Sequence, residues 1–181
     1  AGGVESISTV QGNTNMHMYV NEKIAEEVPG IYHAMGITAE TVAKRYGVSR
    51  EAQDEYSLAS QERHAKAQDQ GLFDDEIIPM ATKMLLKNKE TGAEKEVDTI
   101  VDKDSCNRPD TTLEGLASLN PVFDPEGGSV TAGNSSQLSD GASVTMVMSE
   151  DKANELGVKP LAYFRGFTVV GCEPDEMGIG P

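Results

Sequence analysis

The stretch SREAQDEYSLASQERHAKAQDQG, residues 49–71, narrows most what this chain can fold into. It contains no proline and is bracketed by helix punctuation at both ends. The Ser49 hydroxyl can accept from the first free backbone N–H groups, and Gly71 tolerates the left-handed conformation that ends a helix. Glu51 places a negative charge at the positive end of the helix dipole. Ala52, Tyr56, Ala59 and Ala67 recur at helical spacing and predict the inward face, interrupted by Arg63, whose stem can lie along it. A long helix of this kind needs other elements to pack against.

Those elements can be read on either side. Thr38 is placed to cap a helix over residues 39–46, with Glu40 in its first turn and Gly47 as its stop. Thr111 to Glu114 reads as a capping box that opens a short helix, LEGLASL, ending before Pro121. Ser149 caps EDKANEL, and Gly157 stops it. The opening AGGVESIS predicts the end of a buried strand and its turn. DEIIPM predicts a short edge strand, because Pro79 cannot donate to a ladder. Residues 83–104 are highly charged and contain Thr91-Gly92, which predicts a hairpin or a surface excursion. Residues 142–148 predict a buried strand and LAYFRGFTVVG another. TVQGNTNMHMYVNEKIAEEVPG is polar and reads as a surface loop. A strand, a capped helix and a strand in succession suggest α/β layering.

Charge and composition exclude several classes of function. Thirty acidic residues against fifteen Lys and Arg give a formal net charge of −15, a field that repels nucleic acid and anionic membrane. Hydrophobic residues make up 38% of the chain and aromatic residues 5%, with no Trp, so a core must rest on aliphatic side chains. No apolar run approaches the roughly 20 residues that span a bilayer. Cys106 and Cys172 lie far apart and in no CxxC spacing, which argues against a disulfide framework and for a reducing compartment such as the cytoplasm. The ends, AGGVES and DEMGIGP, read as cuts through a longer protein, so an organelle is not excluded.

Few residues announce chemistry. His17, His33 and His64 share no metal-ligand spacing, and neither cysteine has a basic or helix-N-terminal setting that would favour its thiolate. The stretch SVTAGNSSQLSDGAS, residues 129–143, contains an Asn134-Ser135-Ser136 sequon, but nothing else in the chain points to secretion. It also lacks the lysine of a phosphate loop. Two readings stay open for it. In one, backbone N–H groups and hydroxyls face a ligand amide; in the other, Asn and Asp satisfy a local turn.

Several stretches together resemble the thiolase family: GGVES, then MGITAETVAKRYGVSREAQDEYSLASQERHAKAQDQGLFDDEIIP, then RPDTTLEGLASLNPVFDPEGGSVTAGNSSQLSDGAS, and finally MGIGP. The likeness spans essentially the whole chain and keeps the family's order. It implies an α/β, thiolase-type αβαβα layered fold, represented by part of the first core, an inserted loop domain and the start of the second core. On that pattern, residues 1–8 end the N-terminal core and residues 9–136 form the coenzyme A-binding loop domain. Residues 137–158 then return to the N-terminal core, and residues 159–181 begin the C-terminal core.

The resemblance implies an acetyl-CoA C-acyltransferase that cleaves 3-ketoacyl-CoA with CoA through an acyl-cysteine, as in fatty acid β-oxidation. Alternatives are a biosynthetic acetoacetyl-CoA thiolase or a non-catalytic CoA-ester-binding module of the same fold. The family's nucleophilic Cys would precede GGVES, and its His and second Cys would follow MGIGP. Cys106 and Cys172 match neither family cysteine, so no catalytic residue is assigned and this segment alone is expected to be inactive. The implied binding residues are Ser136 (to a pantetheine amide), Ala132 (leaving room for that arm) and Arg108 (near the adenine and phosphates). Phe123 would touch the cofactor arm, and Met35 and Met177 would line the acyl and pantetheine tunnel. No tightly bound cofactor is implied, CoA being a substrate. The implied partners are acyl-CoA, CoA and further copies of the chain in a dimer or tetramer, with no nucleic acid and no membrane span.

Overall fold

Glycine and hydroxyl punctuation set many of the observed boundaries. The computed structural model describes residues 1–181. In chain order the elements are β1 (Gly2–Glu5), α1 (Ile7–Val10), α2 (Glu22–Glu27), α3 (Met35–Tyr46), α4 (Arg50–Asp69), β2 (Met80–Lys87), β3 (Glu94–Val101), α5 (Leu113–Ala117), β4 (Gly141–Val144) and α6 (Glu150–Leu156). Short 3-10 segments occupy Gln11–Asn13, Met16–Met18 and Pro174–Ile179, the last broken by a kink at Glu176. The chain divides into two units, residues 1–50 with 120–181, and residues 51–119. No helix is long and apolar enough to cross a membrane.

In the first unit β1 and β4 pair antiparallel, with Gly2 opposite Val144 and Glu5 opposite Gly141. A Cβ on Gly2 would lie 2.5 Å from the Ser143 carbonyl oxygen, so the strand can approach this closely only with glycine there. Asp140 leads into β4, and its carboxylate accepts from the Ser8 backbone N–H at 3.1 Å, the Ser6 hydroxyl at 3.1 Å and the Ser8 hydroxyl. It thereby holds the first turn of α1 against the strand pair. Ser149 caps α6 as expected, accepting from the Lys152 N–H at 3.2 Å, and Gly157 closes the helix at a φ of 65°.

Several expectations are corrected here. The region read as a surface loop, residues 9–30, contains helical turns. Asn15 and Asn21 accept from the N–H groups of His17 and Ile24, each at 3.1 Å, and local side-chain bonds of this kind need no core. Helix α3 starts at Met35, not Ala39. Its N-cap is the extended Ala34, and Thr38 already lies inside, buried, with its hydroxyl donating to the Met35 carbonyl at 2.8 Å. The strands β1 and β4 form, but both are exposed, with Val144 at 88%. Regular strand ends at Val144, so residues 145–148 are not part of it. Residues 161–171 form no strand: they have no ladder partner, and Phe164 is 84% exposed.

The second unit is organised by α4 and a hairpin. Strands β2 and β3 pair antiparallel from Met80 opposite Val101 to Lys87 opposite Glu94. The turn follows the Thr91-Gly92 signal: Gly92 has a φ of 70°, and Asn88 Oδ1 accepts from Glu90 N at 2.8 Å and Thr91 N at 3.0 Å. The strand expected at DEIIPM begins only at Met80, because Gly71–Glu76 is taken up by turns that follow the Gly71 stop, where φ is 65°. The N-cap of α5 is Thr112, accepting from Gly115 N at 3.0 Å. Thr111 sits one residue too early and donates instead to the Arg108 carbonyl at 2.7 Å.

The inward face of α4 also differs from expectation. Ala59 and Ala67 are half-buried as expected and Ala52 and Tyr56 are exposed, while Asp54 is buried and Ser57, Gln61, His64 and Gln68 are half-buried, at helical spacing. This face is polar because it satisfies the loop before α5. Gln61 Oε1 accepts from the Asn107 side chain at 2.7 Å and the Arg108 N–H at 2.8 Å, and Gln68 Nε2 donates to the Asp104 carbonyl at 3.0 Å. His64, half-buried, stacks on Phe73 with centroids 5.2 Å apart.

Candidate functional site

Five of the six residues carried over by resemblance lie in the first unit, and α3 organises them. Its successive turns present Gly36, Glu40 and Lys44 along one face, each four residues on from the last. At the N-terminal end, the Phe123 ring lies directly over Gly36. A Cβ at that position would sit 1.9 Å from Phe123 Cε2 and 2.2 Å from Cδ2 and Cζ. Phe123 is thereby placed beside the start of α3, where Met35 is 72% exposed. Two turns further on, Lys44 Nζ donates to Asp124 Oδ2 at 2.8 Å.

Between them stands Glu40, only 5% exposed. Its Oε1 accepts from the backbone N–H groups of Ser129 and Val130, both at 2.8 Å. Its Oε2 accepts from the Ser129 N–H and the Ser129 hydroxyl, each at 3.0 Å. Gly128 makes this approach possible, since a Cβ there would lie 2.6 Å from Glu40 Oε1 and 2.5 Å from the Asp124 carbonyl oxygen.

The loop that follows is a self-satisfied turn at its base and open at its tip. Thr131, 1% exposed, offers Oγ1 to the N–H groups of Gly133 at 3.2 Å and Asn134 at 3.3 Å. Asn134 returns the contact, accepting from Thr131 N at 2.8 Å and donating to the Ser129 carbonyl at 2.9 Å. Ala132 and Ser136 are exposed, and the Ser136 hydroxyl donates to the Gln137 carbonyl at 3.1 Å. Of the two readings of this stretch, the local turn accounts for residues 129–134, and Ser136 lies beyond that network.

The far end of α3 holds the 3-10 segment that carries Met177. Arg45 forks onto it, Nη2 to Asp175 Oδ2 at 2.6 Å and Nη1 to Glu176 Oε2 at 2.5 Å, and the Tyr46 hydroxyl donates to the same Glu176 oxygen at 2.9 Å. Met177 is exposed. His33, two residues before Met35, is exposed and close to Asp175, whose Cβ and His33 Nδ1 would lie 3.2 Å and 3.5 Å from a Cβ on Gly30. Arg108 belongs to the second unit; its backbone is fixed by Gln61 and its side chain is exposed. Cys106 and Cys172 are both exposed.

These contacts have electrostatic consequences. The Arg45 guanidinium, hydrogen-bonded to both, holds Asp175 and Glu176 below their ordinary values of 3.8 and 4.5. The Lys44 hydrogen bond lowers Asp124, and the Ser8 hydroxyl and N–H lower Asp140. A carboxylate depressed in the fold contributes stability that is complete above its unfolded value and is lost as pH falls through the folded one. The melting temperature of the complete protein is therefore expected to fall between about pH 5 and pH 3. Arg45→Met should make that decline shallower, because Asp175 and Glu176 then titrate nearer their ordinary values. Thermal melts at the two pH values check this, and equal slopes for parent and variant would contradict it.

The family model described as thiolase, N-terminal domain, matches residues 1–151. The chain belongs to the thiolase family. It is 47% identical over 180 residues to the 3-ketoacyl-CoA thiolase of Aliivibrio fischeri, covering 99% of this chain and 44% of that protein. Against peroxisomal 3-ketoacyl-CoA thiolase B of Mus musculus it is 46% identical over 186 residues, covering 100% of this chain and 41% of the relative. This thiolase segment thus spans less than half the length of the curated relatives it matches. Among solved structures, the dimeric peroxisomal thiolase of Saccharomyces cerevisiae superposes with a TM-score of 0.80 at 34% identity, over 98% of this chain and 43% of that one. Human mitochondrial 3-ketoacyl-CoA thiolase in complex with CoA superposes at 0.73 and 35% identity, over 99% and 45%. The α/β thiolase-type fold class follows from these matches.

Proposed function

We propose that the complete protein is a 3-ketoacyl-CoA thiolase, an acetyl-CoA C-acyltransferase that uses free CoA to cleave a 3-ketoacyl-CoA into acetyl-CoA and a shortened acyl-CoA. The observation that carries this reading is identity of 47% to a protein of that name, sustained over 99% of this chain. The geometry of α3 supports it. One helix gathers Met35, Phe123, the loop bearing Ala132 and Ser136, and the segment bearing Met177 in a single unit. Met35, Phe123 and Met177 are exposed apolar side chains and Ser136 an exposed hydroxyl, residue types that suit a flexible pantetheine arm, whose amides need a polar partner and whose methylenes need none.

On this reading Ser136 rotates its hydroxyl from the Gln137 carbonyl to the pantetheine amide, and Arg108 supplies a cation for the nucleotide end. The segment binds and orients the thioester; bond breaking belongs to a cysteine outside it, neither Cys106 nor Cys172. The domain reading is a loop domain over residues 9–136 between core pieces at 1–8, 137–158 and 159–181. Assembly as a homo-oligomer is part of the proposal, supported by the dimeric yeast neighbour. So is a reducing, cytoplasmic location, supported by two exposed cysteines far apart in sequence.

The test is direct. Purified complete protein should consume 3-ketoacyl-CoA only when free CoA is supplied, with acetyl-CoA as a product. No turnover of acetoacetyl-CoA or of any longer 3-ketoacyl-CoA would sink the proposal, and the ratio between those substrates assigns the degradative or biosynthetic type. Within it, Ser136→Ala should weaken binding of the CoA substrates by about 0.5–1.5 kcal/mol, the value of one hydrogen bond. Unchanged Michaelis constants for both acyl-CoA and CoA would remove Ser136 from the site.

A further inference from the structure

Glu40 is a carboxylate withdrawn from solvent that accepts from groups of Ser129 and Val130, none of them a cation. Burying a charge is costly, and here hydrogen bonds that an apolar side chain could not replace offset that cost. What an apolar residue could not do is accept from two consecutive backbone N–H groups at once. The carboxylate fixes the peptide planes where the loop begins, and the order propagates. The Ser129 carbonyl accepts from Asn134 Nδ2, Asn134 Oδ1 takes the Thr131 N–H, and the Val130 carbonyl takes the Val122 N–H at 3.0 Å. The exposed tip with Ala132 and Ser136 is built on that base.

We infer that Glu40 is a positioning residue for thioester binding, acting through the 129–136 loop and not by touching the ligand. This rests on the proposed function. A loop that holds its binding-competent form only part of the time binds more weakly by that fraction, whereas a loop ordered in advance binds at full strength. Glu40 therefore sets KM for the CoA thioester.

The experiment is steady-state kinetics on the complete protein carrying Glu40→Ala, Glu40→Gln, Ser136→Ala and the double variant Glu40→Ala with Ser136→Ala. Glu40→Ala should raise KM for the acyl-CoA about tenfold, with kcat per active site changed by less than about threefold. Glu40→Gln keeps one carbonyl acceptor at the same reach, so its KM should fall between parent and Glu40→Ala; it also serves if Glu40→Ala does not fold. The double variant should show a KM well below the product of the two single effects, because both act on one loop.

A lowered melting temperature with unchanged KM in both Glu40 variants would mean a purely structural role and overturn the inference. So would independent, multiplying effects in the double variant. Unchanged KM in Ser136→Ala would remove the Ser136 reading itself. A raised KM in Ser136→Ala beside an unchanged one in Glu40→Gln and Glu40→Ala removes only the role of Glu40.

Discussion

Glu40→Ala is expected to destabilise the complete protein by about 3–5 kcal/mol. Four hydrogen-bond contacts end on this carboxylate, among them those from the N–H groups of Ser129 and Val130, and Val130 is itself buried. A bond to a charged acceptor contributes about 1.5–3 kcal/mol, and a buried donor left without a partner costs about 1–3 kcal/mol. The contributions share one carboxylate and are not additive, which keeps the total below their sum. Glu40→Gln retains one acceptor and should lose roughly half as much. Denaturant melts of the three proteins check the order. Equal stability of Glu40→Ala and the parent would show that water replaces the carboxylate without cost.

The importance of Glu40 was not legible in the sequence, for a specific reason. A glutamate two residues after the expected cap, Thr38, reads as an ordinary first-turn charge facing solvent. Its burial depends on the chain some ninety residues later returning with Gly128, and no local pattern encodes that meeting. Elements governed by local bonds were legible: the Gly47, Gly71 and Gly157 stops, the Ser149 cap and the hairpin turn at Gly92 are all present. Elements whose inward face is chosen by distant polar partners were not. Helix α4 turns Asp54, Gln61 and Gln68 inward because the loop at residues 104–108 brings backbone groups there, so apolar periodicity, which placed Ala59 and Ala67 on the covered side, missed these polar residues. Strand prediction failed at residues 161–171 for a related reason. β-type composition marks a segment able to pair, and pairing needs a partner strand.

The site shows the same division. Motif resemblance singled out residues that face outward, Met35, Ala132, Ser136 and Met177, because each sits in a stretch whose consecutive residues match the family's spelling. The groups that fix the neighbouring backbone and segments, Glu40, Thr131, Asn134 and Arg45, are of types that occur on any surface, and only their partners reveal them. Gly36 could have been suspected: a glycine in the first turn of a helix weakens it, so its presence there calls for a reason in packing.

That reason yields the second large effect. By helix propensity alone, Gly36→Ala should stabilise α3 by about 0.5–1 kcal/mol. The structure reverses the sign, because three atoms of the Phe123 ring already occupy the space where the methyl would go, at 1.9–2.2 Å. Those distances are far inside van der Waals contact, so the ring must swing away and give up its burial against α3. Gly36→Ala is expected to destabilise the complete protein by about 1–3 kcal/mol. Since Phe123 is proposed to touch the cofactor arm, KM for the CoA thioester should rise as well. A double-mutant cycle separates the clash from any other fault. In a Phe123→Ala background the space is empty, so Gly36→Ala should become neutral or mildly stabilising there, the sign that helix propensity predicts. If Gly36→Ala destabilised both backgrounds equally, the ring would not be what excludes the methyl, and the placement of Phe123 over α3 would be wrong.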